Sequence, residues 1–180
     1  MVISMDSIKH GKKITHKKNL IIAGVVLAVV FAAIFTLHWY NTKGPIPTDI
    51  SRQLTYPIFY PEETGVTVKR ATIRYDKQDQ LISFTSLAPT LINLTFSEEP
   101  TPDQFNDISG YYQALLNSMN EFQEIDTING QVYLTKPESV NNNQVAVMNA
   151  KGTLMFVRAE KDLSISTWRQ LFNNLIIVSK

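Results

Sequence analysis

The hydrophobic positions divide the chain into one long apolar run and a series of short patterned segments. Residues 20–37 read LIIAGVVLAVVFAAIFTL and contain no charged side chain. With His38, Trp39 and Tyr40 added, a helix over this run would be about 30 Å long, the thickness of a bilayer's hydrocarbon core. The two aromatic residues fall where interfacial aromatics are expected. We therefore predict a transmembrane helix over residues 20–40.

The basic residues around this run predict its orientation. Residues 1–19 carry five lysines against one aspartate, a net charge of +4, whereas Lys43 is the only basic residue between the span and Arg52. Because cytosolic flanks are enriched in Lys and Arg, we expect residues 1–19 to be a cytosolic tail of a single-pass protein of the cell membrane, with everything after the span extracytoplasmic. The same lysines could also contact anionic lipid headgroups.

Two alternatives to an uncleaved anchor have weaker support. A cleaved signal peptide would have a shorter apolar region followed by small residues, whereas bulky residues (LHWYN) follow this run. A helix that packs on the core of a small domain has one apolar stripe, whereas this run is apolar on every face.

Small residues recur every fourth position within the predicted span, at Gly24, Ala28 and Ala32. Such a ridge lets two helices approach closely in lipid. Gly and Ala are also common in spans that do not pair, so both interpretations stay open. If the ridge packs, the chain forms a homodimer or joins a membrane assembly or signalling complex through this helix.

Beyond the span, Gly44, Pro45 and Pro47 indicate a linker over residues 41–54. Tyr56 to Pro61 then reads as an extended segment, since two prolines flank its aromatic residues. Strand patterns follow at residues 66–75, 81–86, 91–96, 122–128, 131–135, 144–149 and 153–158. The first of them changes phase near Lys69, which indicates a β-bulge.

Turn chemistry and helical spacing predict the fold class of residues 55–180. Asn129-Gly130 and Lys151-Gly152 separate pairs of strands and favour hairpins. Two segments show helical spacing instead. One is Phe105 to Met119, after a capping signal at Thr101, and the other is Ser164 to Leu175, in which Ser164 is the predicted cap. We therefore predict an α+β domain: an antiparallel sheet of about seven strands with two amphipathic helices on one face.

The order of these segments resembles a known class of domains. The aromatic-proline start at Tyr56 to Pro61 precedes INGQVYLT (residues 128–135), GTLMFVRA (152–159) and LSISTWRQLFNNL (163–175). This resembles the extracytoplasmic domains of unknown function that follow a single span in many bacterial membrane proteins, themselves distantly similar to half-barrel lipoprotein carriers. Met155 and Phe156 stand where that class often has tryptophan. The resemblance covers roughly residues 55–178 and implies no catalytic residue.

Composition excludes several kinds of chemistry. The three histidines, His10, His16 and His38, lie in the tail or at the end of the span, and the chain has no cysteine. The domain after the span therefore lacks Ser-His-Asp and Cys-His catalysis and the usual zinc ligands. Residues 41–180 hold 12 basic and 15 acidic residues, a net charge of −3, which does not favour nucleic acid. We predict no cofactor and no enzymatic activity, with a carboxylate hydrolase as the residual enzymatic alternative.

Two charged groups remain as candidates. Lys69, Arg70 and Arg74 form a basic cluster that could contact an anionic ligand, although a solvated sheet face also explains it. The acidic residues of Glu98 to Asp103 are interpreted as solvated loop charges. We therefore predict a non-enzymatic extracytoplasmic binding or accessory domain. Its partner would be a protein, a cell-wall component or an apolar ligand held in a cleft between the helices and the sheet.

Overall fold

The computed structural model describes residues 26–34, 36, 45–62, 65–119, 122–136 and 143–178. The chain divides into two compact units between Gly44 and Pro45. In the first unit, residues 26–34 form helix α1, whose large apolar side chains are 49–65% exposed. Among the described residues, no helix combines the length and apolar character that a membrane crossing requires. Residues 20–25, 35 and 37–40 of the predicted span lie outside the described part.

The second unit contains four helices, ten strands and one 3₁₀ turn among its described residues. In chain order these are α2 (Thr48–Ser51), β1 (Ile58–Tyr60), β2 (Thr67–Val68), the 3₁₀ turn (Arg70–Thr72), β3 (Arg74–Asp76), β4 (Leu81–Leu87), β5 (Asn93–Pro100), α3 (Gln104–Asp107), α4 (Tyr111–Ser118), β6 (Phe122–Thr127), β7 (Gly130–Thr135), β8 (Gln144–Ala150), β9 (Thr153–Ala159), α5 (Ile165–Asn173) and β10 (Ile176–Val178).

The predicted α+β class is confirmed, with a large antiparallel sheet and few helices. Eight strands form the main sheet in the order β2-β4-β5-β9-β8-β7-β6, and β3 also pairs with β4. The sequence predicts about seven strands because it reads residues 66–75 as one bulged strand. The phase change there is instead the 3₁₀ turn, which separates β2 from β3. Strands β1 and β10 form a second, two-stranded antiparallel sheet.

Both predicted hairpins are present, because turn residues act locally. Asn129 lies in the turn that joins β6 to β7, and Gly130 begins β7 with a φ of +142°. Lys151 and Gly152 join β8 to β9 with φ values of +54° and +84°. Two successive residues with positive φ match the turn that suits the twist of a hairpin.

The prediction that both amphipathic helices cover one face is wrong: α4 and α5 lie on opposite faces of the sheet. We call the two faces the α5 face and the α4 face. On the α5 face, Trp168 of α5 donates its indole N–H to Gln144 of β8 at 2.8 Å. On the α4 face, the ring of Tyr112 meets that of Tyr133 at 5.9 Å between centroids. Helical spacing shows that a helix has an apolar stripe, and the stripe does not specify which sheet face it covers.

The α5 face carries most of the core. The strands contribute alternate residues, β1 and α5 cover them, and every side chain in the following set is buried: Ile58, Phe59, Ile82, Phe84, Leu94, Phe96, Ala146, Met148, Met155, Val157, Trp168, Leu171 and Phe172. The rings of Phe84 and Phe96 stack across β4 and β5 with centroids 4.8 Å apart. On the α4 face a smaller set is buried, comprising Leu116, Val147 and Leu154.

The first of the two predicted amphipathic helices, Phe105 to Met119, divides in two. Gly110 has a φ of +82°, a conformation that ends regular helix, and it separates α3 from α4. The predicted capping role of Thr101 is wrong, because its hydroxyl bonds to the Asn149 side chain at 2.6 Å. The cap of α5 is confirmed: the Ser164 hydroxyl accepts the Thr167 amide N–H at 3.2 Å.

Part of the predicted linker belongs to the folded unit. Ile46 and Leu54 are 3% and 5% exposed and lie in the main core, and Ile50 packs against it. Pro45 and Ile46 form a bend, and tertiary packing anchors the apolar residues of this segment in the core, which the predicted linker did not include.

Candidate functional site

The groove between α4 and the sheet

A groove of about 400 Å³ lies on the α4 face, between the helical segment after β5 and the strands β5 and β9. We call it the α4 groove. It is lined by Glu99, Pro102, Phe105, Tyr111, Ala114, Leu115, Leu154 and Phe156. Seven of these eight side chains are apolar or aromatic, so the groove suits an apolar ligand. The sequence predicts a cleft between two helices and one sheet face; here α3 and α4 form the groove with the sheet, and α5 lies on the other face.

Aromatic rings form one side of the α4 groove. Phe105 of α3 lies 5.8 Å from Tyr111 and 5.0 Å from Tyr112 of α4, measured between ring centroids. Tyr111 is 46% exposed, and the neighbouring Ile108 is 49% exposed. The break at Gly110 turns the chain so that Phe105 meets α4, and the groove therefore depends on that break.

Glu99 carries the one carboxyl group among the described residues that line the α4 groove, and none of them is Lys, Arg or His. It lies on β5 directly opposite Leu154 of β9, and Phe156 follows two residues along β9. Diagonal neighbours of this kind lie about 7–8 Å apart, within reach of an aromatic side chain. Partial burial raises the pKa of the Glu99 carboxyl, and the negative charge of Asp79 raises it further.

The buried carboxyl of Glu98

Glu98, the residue before Glu99, points to the other face and is completely buried. Its Oε2 accepts the Phe59 amide N–H at 2.8 Å, while Oε1 has no hydrogen-bond partner among the described residues. Burial raises the pKa of this carboxyl to about 8, and the Phe59 hydrogen bond offsets only part of that increase. The interpretation of Glu98 as a solvated loop charge is therefore wrong.

Glu98 helps to attach the segment that contains β1 to the main sheet. The Tyr56 hydroxyl lies 2.8 Å from the backbone carbonyl of Glu98 and 2.6 Å from that of Gln80, and these two acceptors share its one proton. The Thr153 hydroxyl donates to the Pro57 carbonyl. These contacts lie on the face opposite the α4 groove. Glu98 therefore stabilises the attachment of β1 to the sheet and does not contribute to the groove.

Other candidate residues

The predicted basic cluster is divided among different surroundings. Lys69 donates its Nζ to the Asn93 side chain at 2.9 Å, and Arg74 donates to the carbonyls of Ala71 and Ile73 at 2.8 and 2.9 Å. Arg70 lies in the 3₁₀ turn, and its positive charge partly offsets the increase that burial causes in the pKa of Tyr60. Contact of these residues with an anion stays a prediction.

The predicted packing ridge of the span is described in part. Ala28 and Ala32 lie in α1 and are exposed, while Gly24 lies outside the described residues. Pairing along this ridge stays a prediction.

A second groove of about 410 Å³ lies at the beginning of α5. Its lining is mixed, with Gln123, Thr135, Lys136 and Asp162 beside Leu134, Leu163 and Ile165. In the part of the chain that the structure describes, no three acidic, histidine or cysteine side chains are grouped as metal ligands.

Comparison with protein-family models, with curated proteins and with solved structures found no match. The geometry of the site is therefore the basis for its function.

Sequence reasoning missed both roles of the Glu98-Glu99 pair. Strand alternation could have separated them, because adjacent strand residues point to opposite faces. The prediction ends this strand at Phe96 and therefore places the pair in a loop, whereas β5 continues to Pro100.

Proposed function

We propose that this chain is a membrane-anchored, extracytoplasmic binding domain that acts without catalysis, with the α4 groove as its binding site. The observation that carries the proposal is the groove itself, an apolar concavity of about 400 Å³ between α4 and the sheet. Its size falls within the range typical of ligand pockets. The likeness to extracytoplasmic domains of bacterial membrane proteins agrees with this proposal.

The membrane placement is supported by the sequence and by α1. The uncharged run at residues 20–37 follows five lysines, which favours a cytosolic N-terminus. Val26, Phe31 and Ile34 of α1 are 57%, 65% and 59% exposed, and lipid would cover such side chains favourably.

We expect a protease added to intact cells to cleave the chain after residue 41 and to leave the N-terminal tail intact. The measurement is immunoblotting with one tag before residue 1 and another after residue 180. Cells lysed before digestion serve as the control, in which both tags should be lost. Protection of the C-terminal tag in intact cells would contradict the proposed orientation.

We expect the α4 groove to bind a small neutral apolar molecule. The full chain in zwitterionic lipid nanodiscs, with labelled leucine methyl groups, is titrated with 1-pentanol. The methyl NMR signals of Leu115 and Leu154, which line the groove, should shift. Those of Leu94 and Leu171, which lie in the core of the other face, should not.

A groove-filling variant tests the location of that binding. Ala114 is exposed and lines the groove, so Ala114→Trp should fill it and weaken binding at least tenfold, about 1.4 kcal/mol. Gln113→Trp is the matched control, because Gln113 is exposed on the same helix and does not line the groove. Equal binding by both variants would exclude the α4 groove as the site.

A further inference from the structure

The electrostatic character of the α4 groove points to the charge of its ligand. Of the described residues that line it, none is Lys, Arg or His, and Glu99 contributes a carboxyl. Asp103 and Asp107 are exposed at the α3 side, and Asp79 acts on Glu99 from the β3–β4 turn. Three basic residues lie near the groove without lining it: Lys77 and Lys151 in neighbouring turns, and exposed Arg158 two residues beyond Phe156 on the same face of β9.

Aromatic rings accompany this carboxyl. Phe105, Tyr111 and Phe156 line the same groove as Glu99. The negative face of an aromatic ring attracts an ammonium group, and rings combined with a carboxylate are a recurring arrangement for organic cations. An anionic ligand would meet the Glu99 carboxylate in a partly desolvated site, where like charges repel strongly.

We infer that the α4 groove binds an alkylammonium group on an apolar stem, with Glu99 as the counter-charge and the aromatic rings around the stem. The inference rests on the function proposed above and adds the chemical class of the ligand. Leu115 and Leu154 would contact the methylene groups, as they would contact those of a lysine side chain.

The electrostatics of Glu99 agree with this assignment. Burial and the Asp79 charge both raise its pKa, so the free groove holds its negative charge unfavourably. A bound cation would offset both effects. Cation binding therefore favours the ionised form of Glu99, and the ionised form strengthens cation binding.

The test compares three unbranched probes of five carbon atoms each: n-pentylammonium, 1-pentanol and pentanoate. Each is titrated into the full chain in zwitterionic nanodiscs, with empty nanodiscs as the blank, and the Leu115 and Leu154 methyl shifts report occupancy. We expect pentylammonium to bind about tenfold more tightly than pentanol, since a charge-assisted contact contributes more than a neutral one. Pentanoate should bind most weakly.

Glu99→Gln should remove the preference for pentylammonium and leave pentanol binding unchanged. Glu124→Gln, at an exposed position of β6 that does not line the groove, is the control and should behave as the wild type. An alkylammonium group can come from a lysine side chain of a peptide or from a small amine, and blocked lysine amide (Nα-acetyl-lysine methylamide) distinguishes the two. Its binding indicates a peptide lysine, and binding of pentylammonium alone indicates a small amine. Equal binding of pentanol and pentylammonium, or an unchanged preference in Glu99→Gln, overturns the cation inference and leaves the groove in place. Failure of all three probes to shift either leucine contradicts the groove itself.

Discussion

Replacing Glu98 with glutamine is expected to make the folded domain more stable at pH 8 and to reduce its loss of stability between pH 5 and pH 8. The Glu98 carboxyl is completely buried and one of its oxygens has no partner among the described residues. Ionising it inside the core is therefore unfavourable, whereas a glutamine amide stays uncharged and can still accept the Phe59 N–H.

The direction of the pH effect follows from the two pKa values. The pKa of Glu98 is about 8 in the folded chain and 4.5 when the group is free in water. Between these values the folded state binds more protons than the unfolded state, so the free energy of unfolding decreases as pH rises. Below pH 4.5 the carboxyl is protonated in both states and this effect is absent. Each pKa unit corresponds to about 1.4 kcal/mol, so the loss by pH 8 amounts to several kcal/mol.

Urea denaturation of the full chain in nanodiscs at a series of pH values measures this effect. Glu62→Gln is the control, because Glu62 is an exposed carboxylate of the same domain. The slope of stability with pH should be shallower in Glu98→Gln than in both the wild type and the control. A Glu98→Gln protein that is less stable than the wild type at pH 8, or that keeps the wild-type slope, would show that the carboxylate is better solvated than its burial indicates.

Replacing Gln144 with leucine should destabilise the domain by about 3 kcal/mol, because it leaves two buried donors without an acceptor. Gln144 is 4% exposed on β8, and its Oε1 accepts both the Leu163 amide N–H and the Trp168 indole N–H at 2.8 Å. These two bonds join the beginning of α5 and its largest buried side chain to the sheet. A lowering of the melting temperature by about 10 °C is expected for a domain of this size.

A double-mutant cycle with Trp168→Phe separates the two hydrogen bonds. In that background the indole donor is absent, so Gln144→Leu leaves only the Leu163 N–H unpaired and should cost about half as much. Gln131→Leu, at an exposed position of β7, is the control and should change stability little. Equal costs of Gln144→Leu in the two backgrounds would mean that the indole bond contributes nothing.

The two carboxyls of β5 show why a single sequence predicts this site only in part. Glu98 and Glu99 are chemically identical, yet one is fully buried beneath β1 and the other lies in the α4 groove. Their difference comes from strand alternation combined with what covers each face. β1, which covers Glu98, lies about 40 residues earlier in the chain, whereas α3 and α4, which cover Glu99, follow β5 directly. No local pattern around residues 98–103 specifies which face each of these segments covers.

The hairpins at Asn129-Gly130 and Lys151-Gly152, the Ser164 cap and the antiparallel α+β class were determined by the sequence alone, because they depend on residues within a few positions of one another. Only the tertiary structure decided that α4 and α5 cover opposite faces, that Ile46 joins the core and that the α4 groove exists. The apolar stripe of a helix predicts which face of the helix is buried. Which face of the sheet covers it depends on packing between segments that are distant in the chain.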